Sequence, residues 1–423
     1  MAGLLIMILS LPAYSMIDGI SGNVFNLEAK EGNIYSGEGG SHYMWGFSDG
    51  ANVMQYPGPT MIINQGDMVT VNLTNWLSVP VSIIFPGQSN VTAMGGTEGL
   101  MAREAAPNGG MVSYMFMAEH PGTYMYQSGT NCELQIEMGL IGAIIIRPAP
   151  MMPMDAIGTN AMEMPMGGQA YDTMDSQYED EYLFLLSELD PAIHRLAELG
   201  NFAAIDNAKW WPTIWFINGR CAPDTMLAAN VPWLPSQPYN CMPMMHPGDR
   251  ILCRYISAGR DLHPFHQHGN NFKIIARDGR LLQSMPGGMT ADLAYSDFTI
   301  TVAPGGTADS IFVWTGAGLG WDMYGHAPGD PLEMGEDPAD HGKPFPVVLP
   351  QNQELLFGGM WSGSPFLGAM GTLPPGEGGM NPNAGYTFMW HSHNEQEMTN
   401  DDIFPGGLMT MIIIEAPNVP IMH

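Results

Sequence analysis

Two short histidine clusters contain the residues of this sequence that are best suited to binding a metal. Residues 263–269 read HPFHQHG, and residues 391–393 read HSH. Each cluster contains a His-x-His pair, and residues two apart on a β-strand point to the same face of the sheet. Two such strands lying side by side would bring four imidazole rings together. Because neutral imidazole binds copper, zinc, iron and nickel, the pattern predicts a metal site.

The predicted ligands are five of the 12 histidines in the chain. They are His266, His268, His391 and His393, with His263 close by. The alternative is a set of buried, hydrogen-bonded histidines that bind no metal. A lone histidine favours that alternative, whereas five histidines in two short segments favour a metal.

The residues around both clusters resemble segments of the multicopper oxidases. HPFHQHGNNF at 263–272 is similar to the family's HPxHxHGHxF, and WHSHNEQEMTNDDIFPGGLMTMIIIE at 390–415 resembles its closing YHCHxxxHxxxGM. Other matching segments lie earlier in the chain and keep the family's order. They are residues 56–60, 66–67, 121–129, 139–143, 217–220 and 247–250. The resemblance implies an all-β chain of two cupredoxin-like Greek-key β-sandwich domains. It also implies copper as the cofactor, an oxidoreductase activity, export, and assembly as a trimer or higher homo-oligomer.

The first domain departs from the family at all four of its expected copper ligands. Two cupredoxin domains of the family face each other, and each gives two His-x-His pairs to a three-copper cluster. The sequence has Ile84, Pro86, Gln127 and Gly129 where the first domain should have histidines. Isoleucine, proline and glycine have no ligand atom in their side chains, and glutamine is a weak oxygen donor. One chain is therefore not expected to assemble the three-copper cluster.

The second domain departs from the family at its electron-accepting blue-copper site. That site needs a thiolate and two imidazoles. His263 would be one imidazole, but Ser392 stands at the cysteine position and Glu397 at the second imidazole. Met409, near the axial position, is interpreted as a core residue. The remaining histidines predict one metal ion, or two bridged by solvent, and no blue-copper centre.

Composition limits the possible partners of the chain. Its 13 basic and 42 acidic residues give a net charge of −29. Such a surface repels nucleic acid and anionic lipid, so neither is an expected partner. The 37 methionines are interpreted mainly as adaptable core residues. The alternative is that they bind Cu(I), with 162–166 as the best candidate run.

Local patterns predict the organisation of the chain. Residues 1–16 resemble the apolar core of a signal peptide, which favours a secreted, periplasmic or cell-surface location, and no integral membrane span is expected. The first domain is predicted over 17–150, a linker with a strand and a short helix over 151–211, and the second domain over 212–416. The second domain contains a long insertion at about 316–388. Cys221 and Cys241 flank a loop and predict a disulfide in an exported protein.

The insertion carries several carboxylates and two histidines, His326 and His341. Clustered carboxylates bind Ca²⁺ in some proteins, but this segment has no EF-hand spacing. The sequence therefore favours a solvated acidic loop. Neither histidine is expected, on its own, to add a ligand to the histidine site.

Together these features predict an exported, copper-binding oxidoreductase with a reduced histidine site in its second domain. The first alternative is a non-catalytic subunit of a lattice or filament, in which the histidines are a relic. The second alternative is copper storage through methionines and the histidine site. Metal content separates the three hypotheses, because they require a few copper ions, none, or many Cu(I) ions per chain.

Overall fold

The structure is a computed structural model of the 423-residue chain. It describes residues 17–50, 52–149, 167–288, 290–327, 329–344, 363–365, 385–417, 419 and 421. The signal-like segment 1–16, the methionine run 162–166 and the later part of the insertion lie outside the described residues. Two β-sandwiches account for most of the described chain, which confirms the predicted all-β class.

The first sandwich contains twelve strands and one helix. They are β1 (Ile20–Ser21), β2 (Val24–Tyr35), β3 (Ser41–Asp49), β4 (Gly58–Asn64), β5 (Met68–Asn75), β6 (Ile83–Ile84), β7 (Thr92–Gly95), β8 (Thr97–Glu98), β9 (Arg103–Glu104), β10 (Gly110–Met117), β11 (Gly122–Ser128), α1 (Cys132–Glu137) and β12 (Ile141–Arg147). One sheet has the order β1-β4-β12-β11-β6 and the other has the order β3-β2-β5-β10-β7. Strand β5 alternates buried and partly exposed residues, as a strand with one face on the core should.

The remaining strands and the second helix form the second sandwich and the segment that leads into it. They are β13 (Gly168–Gln169), β14 (Gln177–Tyr178), β15 (Asp180–Leu189), α2 (Pro191–Glu198), β16 (Ile214–Ile217), β17 (Met244–Met245), β18 (Arg250–Ser257), β19 (His263–Gln267), β20 (Phe272–Arg277), β21 (Arg280–Leu281), β22 (Tyr295–Asp297), β23 (Thr299–Val302), β24 (Thr307–Val313), β25 (Gly363–Pro365), β26 (Tyr386–Ser392) and β27 (Met409–Ile414). One sheet has the order β16-β15-β18-β24-β20-β21, with β22 beside β20. The other has the order β17-β27-β26-β19-β23, with β25 beside β26.

Strand β15 belongs to the second sandwich, whereas the sequence pattern places it in the linker. It pairs in parallel with β18, from Asp180 opposite Ile251 to Leu186 opposite Ser257, and antiparallel with β16. All ten of its residues are buried. A strand covered on both faces reads as a continuous apolar run, which does not indicate which sheet the strand joins. The second sandwich therefore starts before residue 212.

Helix α2 follows β15 directly but packs against the first sandwich. Asp190 caps the helix by accepting a hydrogen bond from the Ala192 N–H at 2.8 Å. Ile193 and Ala197 join the core of the first sandwich. The ring nitrogens of His194 lie 2.6 Å from the Tyr43 carbonyl oxygen and 3.0 Å from that of Glu137. The long strand and the helix of the expected linker thus belong to different sandwiches.

A buried ionic network joins the two sandwiches. Arg254 on β18 lies with its Nε 3.0 Å from a carboxylate oxygen of Glu181 and with Nη1 3.0 Å from the Thr123 hydroxyl of β11. Glu181 also pairs with Arg147 of β12, and Asp309 lies within ion-pair distance of Arg254. Burial raises the pKa of Glu181, but Arg254 and Arg147 together more than offset this and leave it lowered. The network therefore keeps a charged carboxylate at the domain junction.

The predicted disulfide between Cys221 and Cys241 is wrong. All four cysteines are free thiols, and both of these are buried. The Cys241 thiol donates to the Ile217 carbonyl oxygen at 2.9 Å instead. Within the described residues, no helix combines the length and apolar character needed to cross a bilayer.

Candidate metal centre

The pairing of β19 with β26 brings the two histidine clusters together. In this antiparallel pair His266 lies opposite His391, and Phe265 lies opposite Ser392. His268 and His393 each follow the end of one of these strands. The strands therefore place the four imidazole rings on one face of the sheet, as the His-x-His spacing predicts.

Three of these four rings form a buried cluster, and the fourth lies at its rim. The centroid of His266 is 4.7 Å from that of His268, 5.4 Å from that of His391 and 4.9 Å from that of His393. One ring nitrogen from each of His266, His268 and His391 lies within 4.8 Å of the others. These three residues are between 6% and 9% exposed, whereas the side chain of His393 is 51% exposed. The geometry gives three converging ligands, with a further imidazole on the solvent side.

Hydrogen bonds from the surrounding strands orient two of these rings. The Nδ1 of His391 lies 2.7 Å from the Ser392 carbonyl oxygen, which can only accept, so Nδ1 carries the hydrogen. This leaves the Nε2 lone pair of His391 facing the Nε2 of His268 at 3.1 Å. The Nδ1 of His266 contacts the hydroxyl of Thr299 on β23 at 2.8 Å. Metal-binding histidines are commonly oriented by such contacts at their second nitrogen.

The surroundings keep His266 and His391 neutral near pH 7. Burial, followed by the neighbouring imidazoles of His268, His391 and His393, lowers the pKa of His266 to about 4. Burial also lowers the pKa of His391, by more than its hydrogen bond to the Ser392 carbonyl raises it. A neutral imidazole has the lone pair that a metal needs, so both rings are in the binding form.

His263 does not join the cluster, which corrects its prediction as a nearby ligand. Residues three apart on a strand point to opposite faces, so His263 turns away from His266. Its Nδ1 lies 3.0 Å from Glu397 and its Nε2 lies 3.0 Å from Glu188, with the ring fully buried. Burial alone would lower the pKa of His263, but hydrogen bonds to the two carboxylates raise it to about 10. Both nitrogens are engaged in a charged ion pair rather than available to a metal.

The positions of the family's blue-copper ligands form a hydrogen-bonded network around His263. The Ser392 hydroxyl donates to Glu397 at 2.6 Å, and the Asn394 side-chain amide donates to Glu397 at 3.1 Å. Glu188 closes the network from β15 on the other side of the ring. Sequence reasoning did not identify Glu188 because its strand was assigned to the linker. The one available signal was a carboxylate that closely follows the apolar run 182–186 in a buried strand.

We expect the copper-loaded protein to show no intense thiolate-to-copper charge-transfer band. A blue-copper site requires a thiolate, and the family's cysteine position is occupied by Ser392 in this chain. Visible absorption spectroscopy of the loaded protein measures this directly. The matched comparison is the Ser392→Cys/Glu397→His variant, which restores a thiolate and a second imidazole and should gain the band. An intense band in the unmodified protein would show that this interpretation is wrong.

In the first sandwich, two of the four positions at which the resemblance implies copper ligands lie opposite each other on paired strands. Gln127 of β11 lies opposite Ile84 of β6. A Cβ atom added at Gly129 would lie 2.7 Å from the Ile84 side chain and 2.9 Å from the Ser82 hydroxyl. Since such contacts are too short, a larger side chain at Gly129 would require Ile84 to move. Isoleucine and glycine at these two positions therefore fit each other sterically.

Comparison with known proteins shows a similarity to multicopper oxidases. Residues 31–151 match a family model described as multicopper oxidase. Most of these residues lie in the first sandwich, which is therefore similar to a multicopper oxidase domain. Laccase abr2 of Aspergillus fumigatus is 37% identical over 98 residues, which cover 23% of this chain and 16% of that protein. Copper resistance protein A of Pseudomonas syringae pv. tomato is 24% identical over 319 residues, which cover 73% of this chain and 50% of that protein.

Solved structures of multicopper oxidases resemble the whole chain. A blue copper oxidase from Nitrosomonas europaea aligns over 92% of this chain and 85% of its own, with a TM-score of 0.53 and 19% identity. The multicopper oxidase mgLAC aligns over 94% and 87%, with a TM-score of 0.54 and 18% identity. At these identities the likeness concerns the fold, and it confirms the predicted cupredoxin class. The matched stretches span at most half the length of the two curated relatives named above.

Proposed function

We propose that this chain is an exported, multicopper-oxidase-like oxidoreductase that binds copper through His266, His268 and His391. The buried cluster of neutral imidazoles is the observation that carries the proposal. The exposed ring of His393 stands at the rim as a further ligand. The relation to multicopper oxidases and to a copper resistance protein supports copper over other metals that imidazole binds.

The donor set fits copper better than a harder cation. It consists of imidazole nitrogens alone, because the carboxylates of Glu188 and Glu397 contact His263 instead. The Nε2 atoms of His268 and His391 face each other at 3.1 Å, so at most one proton fits between them. A cation that both nitrogens coordinate would remove the need for that proton. Copper, when bound, supplies one-electron redox chemistry.

The surrounding residues determine how such a site would work. Thr299 and the Ser392 carbonyl hold two rings in place, so little side-chain freedom is lost when a metal binds. Because His393 is half exposed, a small reductant would reach the site from that side. Ser392 cannot transfer electrons as a copper thiolate does, so we infer that the substrate reduces the site directly.

A non-catalytic structural subunit is the second candidate. The absence of ligand atoms at Ile84, Pro86 and Gly129 favours it, because those positions would face the second domain's histidines in the family's cluster. Under this hypothesis the sandwiches are retained for assembly and the histidines bind no metal. We propose a homo-oligomer, most simply a trimer, under either hypothesis.

Copper content per chain tests the proposal. We expect purified, copper-loaded protein to hold about one or two copper ions per chain with an EPR signal from nitrogen-ligated Cu(II). The His266→Ala/His391→Ala variant should lose them, because two of three buried ligands are removed. The exposed His120 of the first domain gives a matched control, and His120→Ala should retain the copper. Light scattering on the same samples measures the mass of the assembly.

Three results would contradict the proposal. Protein that holds no copper after loading would favour the structural subunit. Equal copper in the His266→Ala/His391→Ala and His120→Ala variants would place the metal elsewhere in the chain. Many Cu(I) ions per chain, unaffected by either variant, would instead support storage by methionines.

A further inference from the structure

A second group of metal-ligating side chains lies in the insertion of the second sandwich. Asp322, His326, Glu336 and His341 each offer one ligand atom, and these atoms all lie within 4.8 Å of one another. The rings of His326 and His341 have centroids 4.6 Å apart. The described part of the insertion therefore folds four residues spread over 20 positions into one cluster.

We propose that these four residues bind one divalent transition-metal ion of the Zn²⁺ class. Two imidazole nitrogens and two carboxylate oxygens are ligands that Zn²⁺ takes in a four-coordinate structural site. The mixed nitrogen and oxygen set differs from the imidazole-only cluster of His266, His268 and His391. A soft Cu(I) ion would prefer thiolate or thioether ligands, and Ca²⁺ would prefer oxygen alone.

The hydrogen bonds of His341 leave a ring nitrogen facing the centre of the cluster. Its Nε2 lies 3.1 Å from the Asp330 carbonyl oxygen, which only accepts, so Nε2 carries a hydrogen. Its Nδ1 lies 2.9 Å from Glu336 Oε1, so either a proton on Nδ1 or a shared cation satisfies this contact. A metal ion coordinated by both atoms would take the place of that proton. A carbonyl partner at the second nitrogen is also the usual arrangement of a metal-bound histidine.

The Nδ1 atom of His326 lies close to oxygens of both carboxylates. Its Nδ1 lies 2.9 Å from Asp322 Oδ2 and 3.3 Å from Glu336 Oε1. One hydrogen on Nδ1 can serve only one of these oxygens well. A metal ion coordinated by Nδ1 and both oxygens would serve all three atoms at once.

Backbone donors fix the two carboxylates. Asp322 accepts from the N–H groups of Tyr324 at 2.8 Å and Gly342 at 2.8 Å. Glu336 Oε2 accepts from the Glu333 N–H at 2.9 Å, which turns Oε1 towards the histidines. The side chains of Asp322 and Glu336 are only 2% and 3% exposed. For these two residues the interpretation as a solvated acidic loop is wrong.

The position of the cluster indicates a structural role for the ion. Trp321 and Met323, next to Asp322, pack in the core of the second sandwich. Glu336 and His341 come from the strongly acidic stretch that follows, where self-repulsion opposes a compact loop. An ion held by both stretches would tie the acidic one to the core and offset two of its negative charges.

Zinc binding by variants of the full chain tests this inference. We expect the protein to bind about one Zn²⁺ with high affinity at this site, measured by competition with a chromogenic chelator. His326→Ala/His341→Ala should lose that ion and should no longer gain thermal stability when Zn²⁺ is added. Glu333→Gln, which alters an exposed carboxylate and keeps the backbone donor, should bind as the unmodified protein does. Co²⁺ bound at this site should give the visible spectrum of a tetrahedral Co²⁺ ion. His326→Ala/His341→Ala should lose that spectrum, and Glu333→Gln should keep it.

His266→Ala/His391→Ala separates this site from the proposed copper centre. That variant should retain the Zn²⁺ ion of the insertion, so the two proposals can fail independently. If His326→Ala/His341→Ala misfolds, His341→Gln provides the test, and it should weaken Zn²⁺ binding at least tenfold. Unchanged Zn²⁺ affinity in the folded histidine variants would overturn the inference, as would Zn²⁺ lost only from the His266→Ala/His391→Ala variant.

Discussion

Replacing Arg254 by methionine should lower the free energy of unfolding by about 3 to 5 kcal/mol, since it removes one partner of a fully buried ion pair. Arg254 is 0% exposed, as is the side chain of Glu181, while that of Asp309 is 1% exposed. Methionine fills similar space but donates no hydrogen bond. The variant would leave Glu181 with Arg147 alone and would leave Asp309 without its arginine. Urea-induced unfolding measures the difference.

Arg195 offers a matched control for this prediction. It also pairs with a carboxylate, that of Glu198, but its side chain is 63% exposed. Arg195→Met should change the free energy of unfolding by about 0.5 kcal/mol or less, because water screens an exposed pair. Similar losses in the two variants would mean that burial of the Arg254 network does not determine its contribution.

The second large effect should appear as a loss of stability in mild alkali. His263 has a folded-state pKa of about 10 because it lies between Glu188 and Glu397. In the unfolded chain its pKa returns to about 6.5. Between these values the folded state binds more protons than the unfolded state, so the free energy of unfolding falls as pH rises. The contribution is fully present below about pH 6.5 and is lost as pH rises to about 10, with a total on the order of 5 kcal/mol.

Unfolding by urea at several pH values between 6 and 10 measures this effect. His263→Gln keeps a hydrogen-bonding side chain but cannot ionise, so its stability should be lower throughout and should vary less across the same window. Subtracting the free energy of unfolding of the variant from that of the unmodified protein at each pH removes the contribution of lysines and tyrosines that titrate near pH 10. Parallel pH profiles for the two proteins would contradict the assignment of a charged His263.

The core of the histidine site could be predicted from the sequence because its geometry is local. His266 and His268 are two residues apart, as are His391 and His393, and strand periodicity places each pair on one face. The same periodicity separates His263 from His266, since three residues turn the side chain to the other face. Glu188, one of the two carboxylate partners of His263, could not be predicted from the sequence. Its strand, β15, is placed in the second sandwich by long-range pairing with β18.

Long-range pairing also limited the prediction of the fold. The class and the two sandwiches follow from local alternation and from the resemblance to multicopper oxidases. The membership of β15 depends on partners more than 60 residues away in sequence, such as Ile251 opposite Asp180. The cluster in the insertion was missed for a similar reason. Asp322 and His341 meet only when the loop folds back, and no spacing rule relates them.

The crossed placement of β15 and α2 makes the two sandwiches inseparable as modules. A fragment beginning at residue 212 would lack β15, so β16 would lose its partner in the sheet and β18 would become an unpaired edge strand. A fragment ending at residue 150 would lack α2 and would expose the core residues that Ile193 and Ala197 cover. Neighbouring domains of this kind cannot be shuffled or inherited singly at the boundaries that their sequence suggests.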